Sequence, residues 1–321
     1  MTISIRAAAR RWGCSRYTAE KRLEAGEVPP EPDQTGPRFP DIKEFPKDKD
    51  ALWEAMFAFQ YEIQKWDIHQ SSATADLTDE TQPIGIVVSG DWHIGNENTN
   101  LRELKADIDL IAQTPGLYCF HMGDLIDGYV KPNMPTGSHE AMVRVRTQRH
   151  LAWDACSRLA GKVLCTVSGQ HDHWGVQQAD FDPIEWVSSD HRVPYLGHGG
   201  LLTLKLSGQD YRIHVRHKGR YRSQVNVTHG IKQHWRFVQD ADIGCHADLH
   251  VPAIEHVLWK GEHRLAIRPG SYKPTDDFCD AGDFGLSPAV MPTIILWPDR
   301  RRIQAMWTLG EGAEYVSRLR K

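Results

Sequence analysis

Short apolar runs alternate with amphipathic patterns through most of the chain. The runs with strand character, which are brief and rich in Ile, Val and Leu, cover residues 84–89, 117–122 and 162–168. Between them, apolar positions recur at helical spacing over residues 101–113 and 140–160. Strands that alternate with helices predict a layered α/β domain.

Strand pairs dominate the second half of the chain. Residues 201–206 turn through Ser207-Gly208-Gln209-Asp210 into a strand at residues 211–215. Two more pairs are predicted, at residues 257–259 with 264–267 and at residues 293–297 with 303–307. We find no internal repeat, so we predict one α/β domain over residues 83–321.

The first 28 residues form a different pattern, with two short helices. Ser4 can cap a helix that runs to about Trp12, Gly13-Cys14-Ser15 makes a turn, and a second helix runs to Ala25. The pair resembles a helix-turn-helix, with basic residues on the polar face of its second helix: Arg16, Lys21 and Arg22. A docking hairpin without a nucleic-acid role is an equally open interpretation.

A linker region separates the two parts. Six prolines crowd residues 27–49 and block regular helix, which predicts a semi-extended linker. Apolar residues then recur at helical spacing over residues 48–69, which predicts one amphipathic helix. Its apolar stripe packs either on the main domain or in a homodimer. The predicted organisation is therefore residues 1–28, 29–82 and 83–321.

Composition narrows the class of protein. The chain has 321 residues, 40% of them hydrophobic, with a formal net charge of -4, so it lacks the general basicity of a nucleic-acid coat protein. Its six cysteines form no C-x-x-C pair, and neither a signal peptide nor a long apolar run occurs. We expect a cytoplasmic protein without a membrane partner.

Acidic, imidazole and amide side chains gather just past the predicted strand ends, where open α/β sheets bind ligands. Any one cluster could arise by chance, and the second, taken alone, could be a helix cap, whereas clusters as dense as the third are seldom structural. The five clusters, in chain order, are Gly90-Asp91-Trp92-His93, Gly123-Asp124-Leu125-Ile126-Asp127, Ser168-Gly169-Gln170-His171-Asp172-His173, His217, and Gly244-Cys245-His246-Ala247-Asp248-Leu249-His250.

In this order, the blocks resemble the calcineurin-like metallophosphoesterases, whose pattern runs D-x-H, G-D-x-x-D, G-N-H-D/E, H and G-H-x-H. Arg268-Pro269-Gly270-Ser271 is similar to the N-P-G-S turn of that family. The resemblance covers residues 83 to about 307. It implies a four-layer α/β/β/α sandwich and a hydrolase of phosphate esters that uses two divalent metal ions. Mn²⁺ is favoured, and Fe, Ni²⁺ or Zn²⁺ also suit such mixed ligands.

The resemblance also implies residue roles. Asp124 would bridge the two metals, His171 would be the catalytic histidine, and Asp127 would orient His171 by a hydrogen bond. The first metal would be held by Asp91, His93 and His250. The second would be completed by Gln170, His217 and Asp248.

Two positions depart from the family pattern. Gln170 replaces the usual Asn, which keeps an amide oxygen but lengthens its reach by one methylene. Asp248 stands where the first histidine of G-H-x-H belongs, and His246 is the rival ligand in another register. A one-metal or inactive descendant is thus an open alternative.

The sequence motifs favour one class of substrate over others. The chain lacks the G-D-x-V-D-R-G block of protein Ser/Thr phosphatases, and residues 217–229, including Gln224, look like bacteriophage and prophage members described as nuclease-like. We therefore favour a phosphodiesterase or nuclease acting on DNA or another nucleic acid, in a bacterial or phage-infected cell. A small-nucleotide or phosphomonoester hydrolase and a degenerate DNA-binding protein are the alternatives. Predicted substrate contacts are Arg220, Arg222, Asp172 and His173.

Overall fold

The computed structural model describes residues 3–31, 48–66, 70–129, 139–223, 225–282 and 285–321. The chain divides into two compact units, Met1–Lys65 and Trp66–Lys321. Most of the predicted Pro-rich linker, the end of the predicted helix at residues 67–69, and Gln224 lie outside the described residues.

The first unit contains the predicted helical pair. Helix α1 spans Ile5–Trp12 and helix α2 spans Arg16–Glu24. The hydroxyls of Ser4 and Ser15 cap the two helices by accepting main-chain N–H bonds, and Gly13 ends α1 with φ of 61°. Small side chains form the seam, with Ala8, Ala9 and Ala19 buried. Helix α3 follows at Lys49–Trp66, and which surface covers its apolar stripe stays a prediction.

The second unit holds the remaining elements. Its strands are β1 Ser72–Leu77, β2 Ile84–Ser89, β3 Leu117–His121, β4 Val163–Thr166, β5 Gly199–Leu206, β6 Asp210–Arg216, β7 Ile243–His246, β8 Ala253–Trp259, β9 Glu262–Arg268, β10 Thr293–Leu296 and β11 Ile303–Met306. Its helices are α4 Leu101–Gln113, α5 Val145–Arg158, α6 Gln170–Ala179, α7 Pro183–His191, α8 His229–Phe237, α9 Asp277–Ala281 and α10 Leu309–Leu319.

These strands form two sheets. One has the order β1-β5-β6-β7-β9-β8 and the other β11-β10-β2-β3-β4. Strands β2, β3 and β4 are parallel neighbours, as are β6 and β7, so their carboxyl ends lie at common edges. This placement is what brings the polar clusters of the sequence together.

The largest core lies between the sheets. Ile86 and Phe120 of one sheet share it with Ile213 and Cys245 of the other. Helices α4, α5 and α7 cover the outer face of the β2-β3-β4 sheet through a second core, and α8 covers the outer face of the other sheet. The predicted mixed α/β fold with two sheets flanked by helices is confirmed.

Several elements differ from the sequence-based prediction. The strand β1 was not predicted; it pairs in parallel with β5 and alternates between half-buried and exposed side chains. Residues 170–173, for which no helix was predicted, form the first turn of α6. Helices α7, α8 and α10 were not predicted, although their sequences carry local signals: α8 and α10 are amphipathic, α7 is capped by Asp182, and α10 begins with a capping box of Thr308 and Glu311.

Within the described part of the chain, no helix has both the length and the apolar character needed to cross a membrane.

Candidate metal centre

The predicted ligands follow neighbouring strand ends. Asp91 comes after β2, Asp124 after β3, Gln170 after β4 and His217 directly after β6. The turn after β9 secures this edge, because the Ser271 hydroxyl donates to the main-chain carbonyl of Asp91 at 3.0 Å. Four distant stretches of sequence thus meet at one place.

Five of the predicted metal ligands converge there. Ligand atoms of Asp91, His93 and His250 lie within 4.8 Å of one another. The same is true of Asp91, Asp124 and His217. Because Asp91 belongs to both groups, the two groups adjoin one another.

The first group is closely spaced. Nε2 of His93 is 3.2 Å from Nε2 of His250, and Nε2 of His250 is 3.4 Å from Oδ1 of Asp91. Nδ1 of His93 faces the other way and lies 3.4 Å from Oδ1 of Asp127. A carboxylate behind a histidine orients the ring and leaves the other nitrogen for a metal.

The second group is oriented in the same manner. Nδ1 of His217 is 2.7 Å from the main-chain carbonyl of Met122, so this nitrogen carries the proton and donates it. Nε2 of His217 faces Oδ2 of Asp124 at 3.2 Å. Burial would lower the pKa of His217, but the carboxylates of Asp124, Asp91 and Asp248 outweigh it and raise the pKa to about 10. A divalent cation would take the place of this proton.

The backbone at the predicted ligands is strained. Among the described non-glycine residues, eight have φ in the left-handed region, and five of them are predicted ligands: Asp91, His93, Asp124, Asp248 and His250, with φ between 45° and 71°. Of the others, Asp180 and Arg192 end helices and Lys260 lies in the β8–β9 turn. Such conformations cost about 1 kcal/mol or more each and gather at functional sites.

The residues fit a bound cation. Oδ1 of Asp91 and Nε2 of His217 are buried without a hydrogen-bond partner. Unpaired buried polar atoms cost free energy, and a metal ion would satisfy those that face the cluster. The donor set of carboxylates and imidazoles suits Mn²⁺, Fe or Zn²⁺.

Asp124 is held from two sides. Its Oδ1 accepts the main-chain N–H of His171 at 2.8 Å, and a Cβ added at Gly169 would overlap the same oxygen. Although burial by itself raises the pKa of Asp124, the charges of His217 and His171 hold this pKa below its usual value. Glycine at residue 169 therefore allows the start of α6 to approach the carboxylate.

Asp172 was predicted to contact the substrate, but the structure buries it. Its side chain is completely buried and accepts main-chain N–H bonds from Gly169 at 3.0 Å, Asp124 at 2.6 Å and Leu125 at 3.1 Å. Burial and the nearby Asp124 charge raise the pKa of Asp172. The carboxyl group therefore ties the loop after β3 to the start of α6, and it has no surface to offer a substrate.

Asp127 orients His171 differently from the prediction. Nδ1 of His171 is 2.6 Å from the main-chain carbonyl of Asp127 and 3.8 Å from its carboxylate. The carboxylate lies closer to His93 and also accepts from the side-chain amide of Asn96 at 3.1 Å. The acid thus supports a predicted metal ligand, and the main chain supports the predicted catalytic histidine.

Lys273 was missed by the sequence interpretation. Its side chain is 2% exposed, and Nζ lies 2.7 Å from Oδ2 of Asp276 and 3.5 Å from Oδ1 of Asp127. Burial raises the pKa of Asp127 and the charge of Lys273 opposes this rise. The only signal was its position two residues after Ser271, at the end of the matched turn.

Gln170 and Asp248 contact cationic side chains. Nζ of Lys218 donates to Oε1 of Gln170 at 2.5 Å, and Nη2 of Arg222 lies 2.6 Å from Oδ2 of Asp248. None of the described Asp and His groups within 4.8 Å contains Asp248. The two positions that depart from the family pattern are therefore the two that the structure pairs with Lys218 and Arg222.

The rival ligand His246 lies elsewhere. It is buried beside His214 and His234, and it belongs to none of the described groups that contain Asp91 or Asp124. The register that uses His246 in this centre is therefore wrong.

His171 stands at the mouth of the centre. Its side chain is 14% exposed, and its ring lies 4.6 Å from that of His93 and 4.1 Å from that of Trp174. A cavity of about 340 Å³ adjoins it, lined by residues that include His173, Trp174, His198, Arg216 and Lys218. His173 is thus placed to meet a substrate. Arg220 and Arg222 are exposed on the loop after β6.

Solved phosphoesterases are among the similar structures. A calcineurin-like phosphoesterase from Bacillus subtilis, YfkN, has a TM-score of 0.40 and 11% identity over 75% of this chain and 100% of its own. A metallophosphoesterase from Sphaerobacter thermophilus has a TM-score of 0.37 and 14% identity, over 73% of this chain and 93% of its own. Vps29 complexed with zinc from Entamoeba histolytica has a TM-score of 0.37 and 13% identity, over 70% of this chain and 97% of its own.

No family model and no curated protein matches the chain. The identities and TM-scores of the solved structures are too low to carry a functional assignment.

Proposed function

We propose that this chain is a metal-dependent phosphoesterase that uses two divalent cations and acts on phosphodiesters of nucleic acid. The observation that carries the proposal is the convergence of Asp91, His93, Asp124, His217 and His250 into two groups that share one carboxylate. Bound there, the cations would lower the pKa of a water molecule and neutralise charge on the phosphoryl group.

The protein supplies the remaining chemistry. The main-chain carbonyl of Asp127 fixes Nδ1 of His171, which leaves Nε2 to exchange a proton with the leaving oxygen of the substrate. The exposed cations Lys218, Arg220 and Arg222 beside the centre favour a polyanionic substrate. Trp174 and His173 in the adjoining cavity supply rings against which a base can stack.

The substrate class can be tested on the purified protein. We expect bis-p-nitrophenyl phosphate, a diester, to be hydrolysed faster than p-nitrophenyl phosphate, a monoester, when Mn²⁺ is added, and single-stranded or duplex DNA to be cleaved. Faster cleavage of the monoester would instead favour a small-nucleotide hydrolase, for which the cavity of about 340 Å³ is large enough. Inactivity on all of these substrates with metal bound would contradict the enzymatic proposal.

The N-terminal helical pair supports a nucleic-acid partner. Helix α2 carries Arg16, Lys21 and Arg22 within nine residues, on a helix capped by Ser15. We propose that this unit binds DNA through its basic residues, while the second unit carries the metal centre.

Removing residues 1–46 should reduce salt-dependent retention on DNA without changing hydrolysis of the small diester. Each lost phosphate contact lowers the dependence of binding on salt, since fewer counterions are released. The double variant Arg16→Glu, Lys21→Glu should reproduce the loss in the full chain, whereas Lys105→Glu, on the exposed face of α4, should not. Undiminished retention in both the truncated and the double-variant protein would assign DNA binding elsewhere.

A further inference from the structure

A second cluster of histidines lies away from the candidate centre, on the outer face of the β6-β7 pair. His214 in β6 is paired with Gly244 in β7, and His246 lies two residues further along β7. Because side chains alternate along a strand, His214 and His246 occupy the same face. Ile213, Val215 and Cys245 occupy the opposite face, inside the core between the sheets.

Helix α8 brings in the third histidine. The ring of His234 lies over that of His214 with 3.6 Å between centroids, and it is 6.0 Å from the ring of His246. A Cβ at Gly244 would overlap Ile231 of α8, so glycine at this position lets the helix approach the strands closely. Ligand nitrogens of the three histidines lie within 4.8 Å of one another.

The nitrogens in this cluster have no hydrogen-bond partners. Nδ1 of His214, Nε2 of His234 and both ring nitrogens of His246 are buried and unpaired. His214 is 2% exposed and His246 is 1% exposed. An unpaired polar atom costs free energy when it is buried. Three convergent imidazoles without partners therefore point to a ligand that binds nitrogen.

The donor chemistry selects the kind of ligand. No carboxylate belongs to this group, and each histidine offers a ring nitrogen as a ligand atom. Three imidazole nitrogens suit Zn²⁺ and similar borderline cations, whereas Mg²⁺ and Ca²⁺ require oxygen ligands. The charge of Arg216 acts on His214 and opposes any cation, so the preference for zinc comes from the nitrogen donors.

We propose that His214, His234 and His246 form a zinc-type site that fastens helix α8 to the outer face of the sheet. The chain between β6 and α8 contains His217, Lys218 and Arg222, all beside the candidate centre. A cation under α8 would fix the far end of this loop. The site involves none of the residues assigned to phosphoester hydrolysis, so the inference stands independently of the proposed function.

Co²⁺ binding to the metal-free full-length chain tests the site. The variant His234→Phe keeps a ring over His214 but removes the ligand nitrogen, and His263→Phe is the matched change at an exposed histidine. We expect His234→Phe to bind one Co²⁺ fewer per chain than the wild type and to lose the absorption bands of tetrahedral Co²⁺. His263→Phe should bind as many Co²⁺ ions as the wild type and show the same absorption bands. Asp124→Asn should also keep the bands of tetrahedral Co²⁺.

A stability measurement separates a metal site from a purely structural cluster. Added Zn²⁺ should raise the thermal unfolding midpoint of Asp124→Asn, and this rise should be smaller in Asp124→Asn, His234→Phe, which keeps the group of Asp91, His93 and His250. If His234→Phe fails to fold, His234→Cys should fold and give a sulfur-to-cobalt charge-transfer band. Equal Co²⁺ uptake with identical spectra in the wild type and His234→Phe would overturn the proposal. A folded His234→Cys protein without the sulfur-to-cobalt band would overturn it as well. The three histidines would then bind water only.

Discussion

Asp124→Asn is expected to lower phosphodiester hydrolysis by about three powers of ten or more, because the variant loses a carboxylate of the proposed second cation position, beside Asp91. Asp124 contributes to the group with Asp91 and His217 and to a third group with His93 and His171. Asparagine keeps an oxygen that can accept the His171 N–H, so the loop should retain its shape. The variant loses the negative charge of the carboxylate, which a bound cation requires.

Metal content must fall together with the rate. Elemental analysis of Asp124→Asn should show fewer bound divalent ions than the wild type, while its thermal unfolding stays cooperative. Asp109→Asn, which removes an exposed carboxylate on α4, serves as the matched control and should change neither quantity. A rate within about threefold of that of the wild type would contradict both the assigned role of Asp124 and the proposed function.

His171→Ala is expected to lower the rate by about two to four powers of ten while the bound metal stays unchanged. The ring of His171 is only partly exposed and is held between the Asp127 carbonyl and Trp174, so its free nitrogen has a fixed direction. That arrangement suits a group that moves a proton to a leaving oxygen. Added imidazole should restore part of the activity, because the substitution leaves a ring-sized space.

The control for His171→Ala is His256→Ala, which removes an exposed histidine in β8. Undiminished turnover of His171→Ala would refute the proton-transfer role. Loss of one metal ion along with activity would also refute it, since His171 would then be a ligand, as its grouping with His93 and Asp124 permits.

Much of the fold follows from local pattern. The predicted strand at residues 84–89 and the predicted helix at residues 101–113 coincide with β2 and α4, because each has an unbroken apolar run or stripe. The strand β1 has no such run, and only its pairing with β5 makes it a strand. Likewise, the close approach of α8 depends on the space above Gly244, which no periodicity in residues 229–237 reveals.

The candidate site was predictable to a similar extent. Asp91, His93, Asp124, His217 and His250 were expected to lie together because their motifs resemble the metallophosphoesterase pattern, and the structure brings their ligand atoms together. The sequence did not reveal that Asp172 is a buried anchor or that Lys273 lies against Asp127. These contacts join segments far apart in the chain, and nothing in their local spacing encodes them.

The sequence by itself determined the order of the elements, the candidate ligands and the chemistry that such ligands support. Only the tertiary structure showed which donors lie together and that Asp248 pairs with Arg222. It also showed that His246 lies beside His214 and His234 instead of Asp91. The physical reason is that residue type and spacing fix local geometry within a few residues. Distances between side chains from separate strands depend on sheet order, register and the helices packed above them.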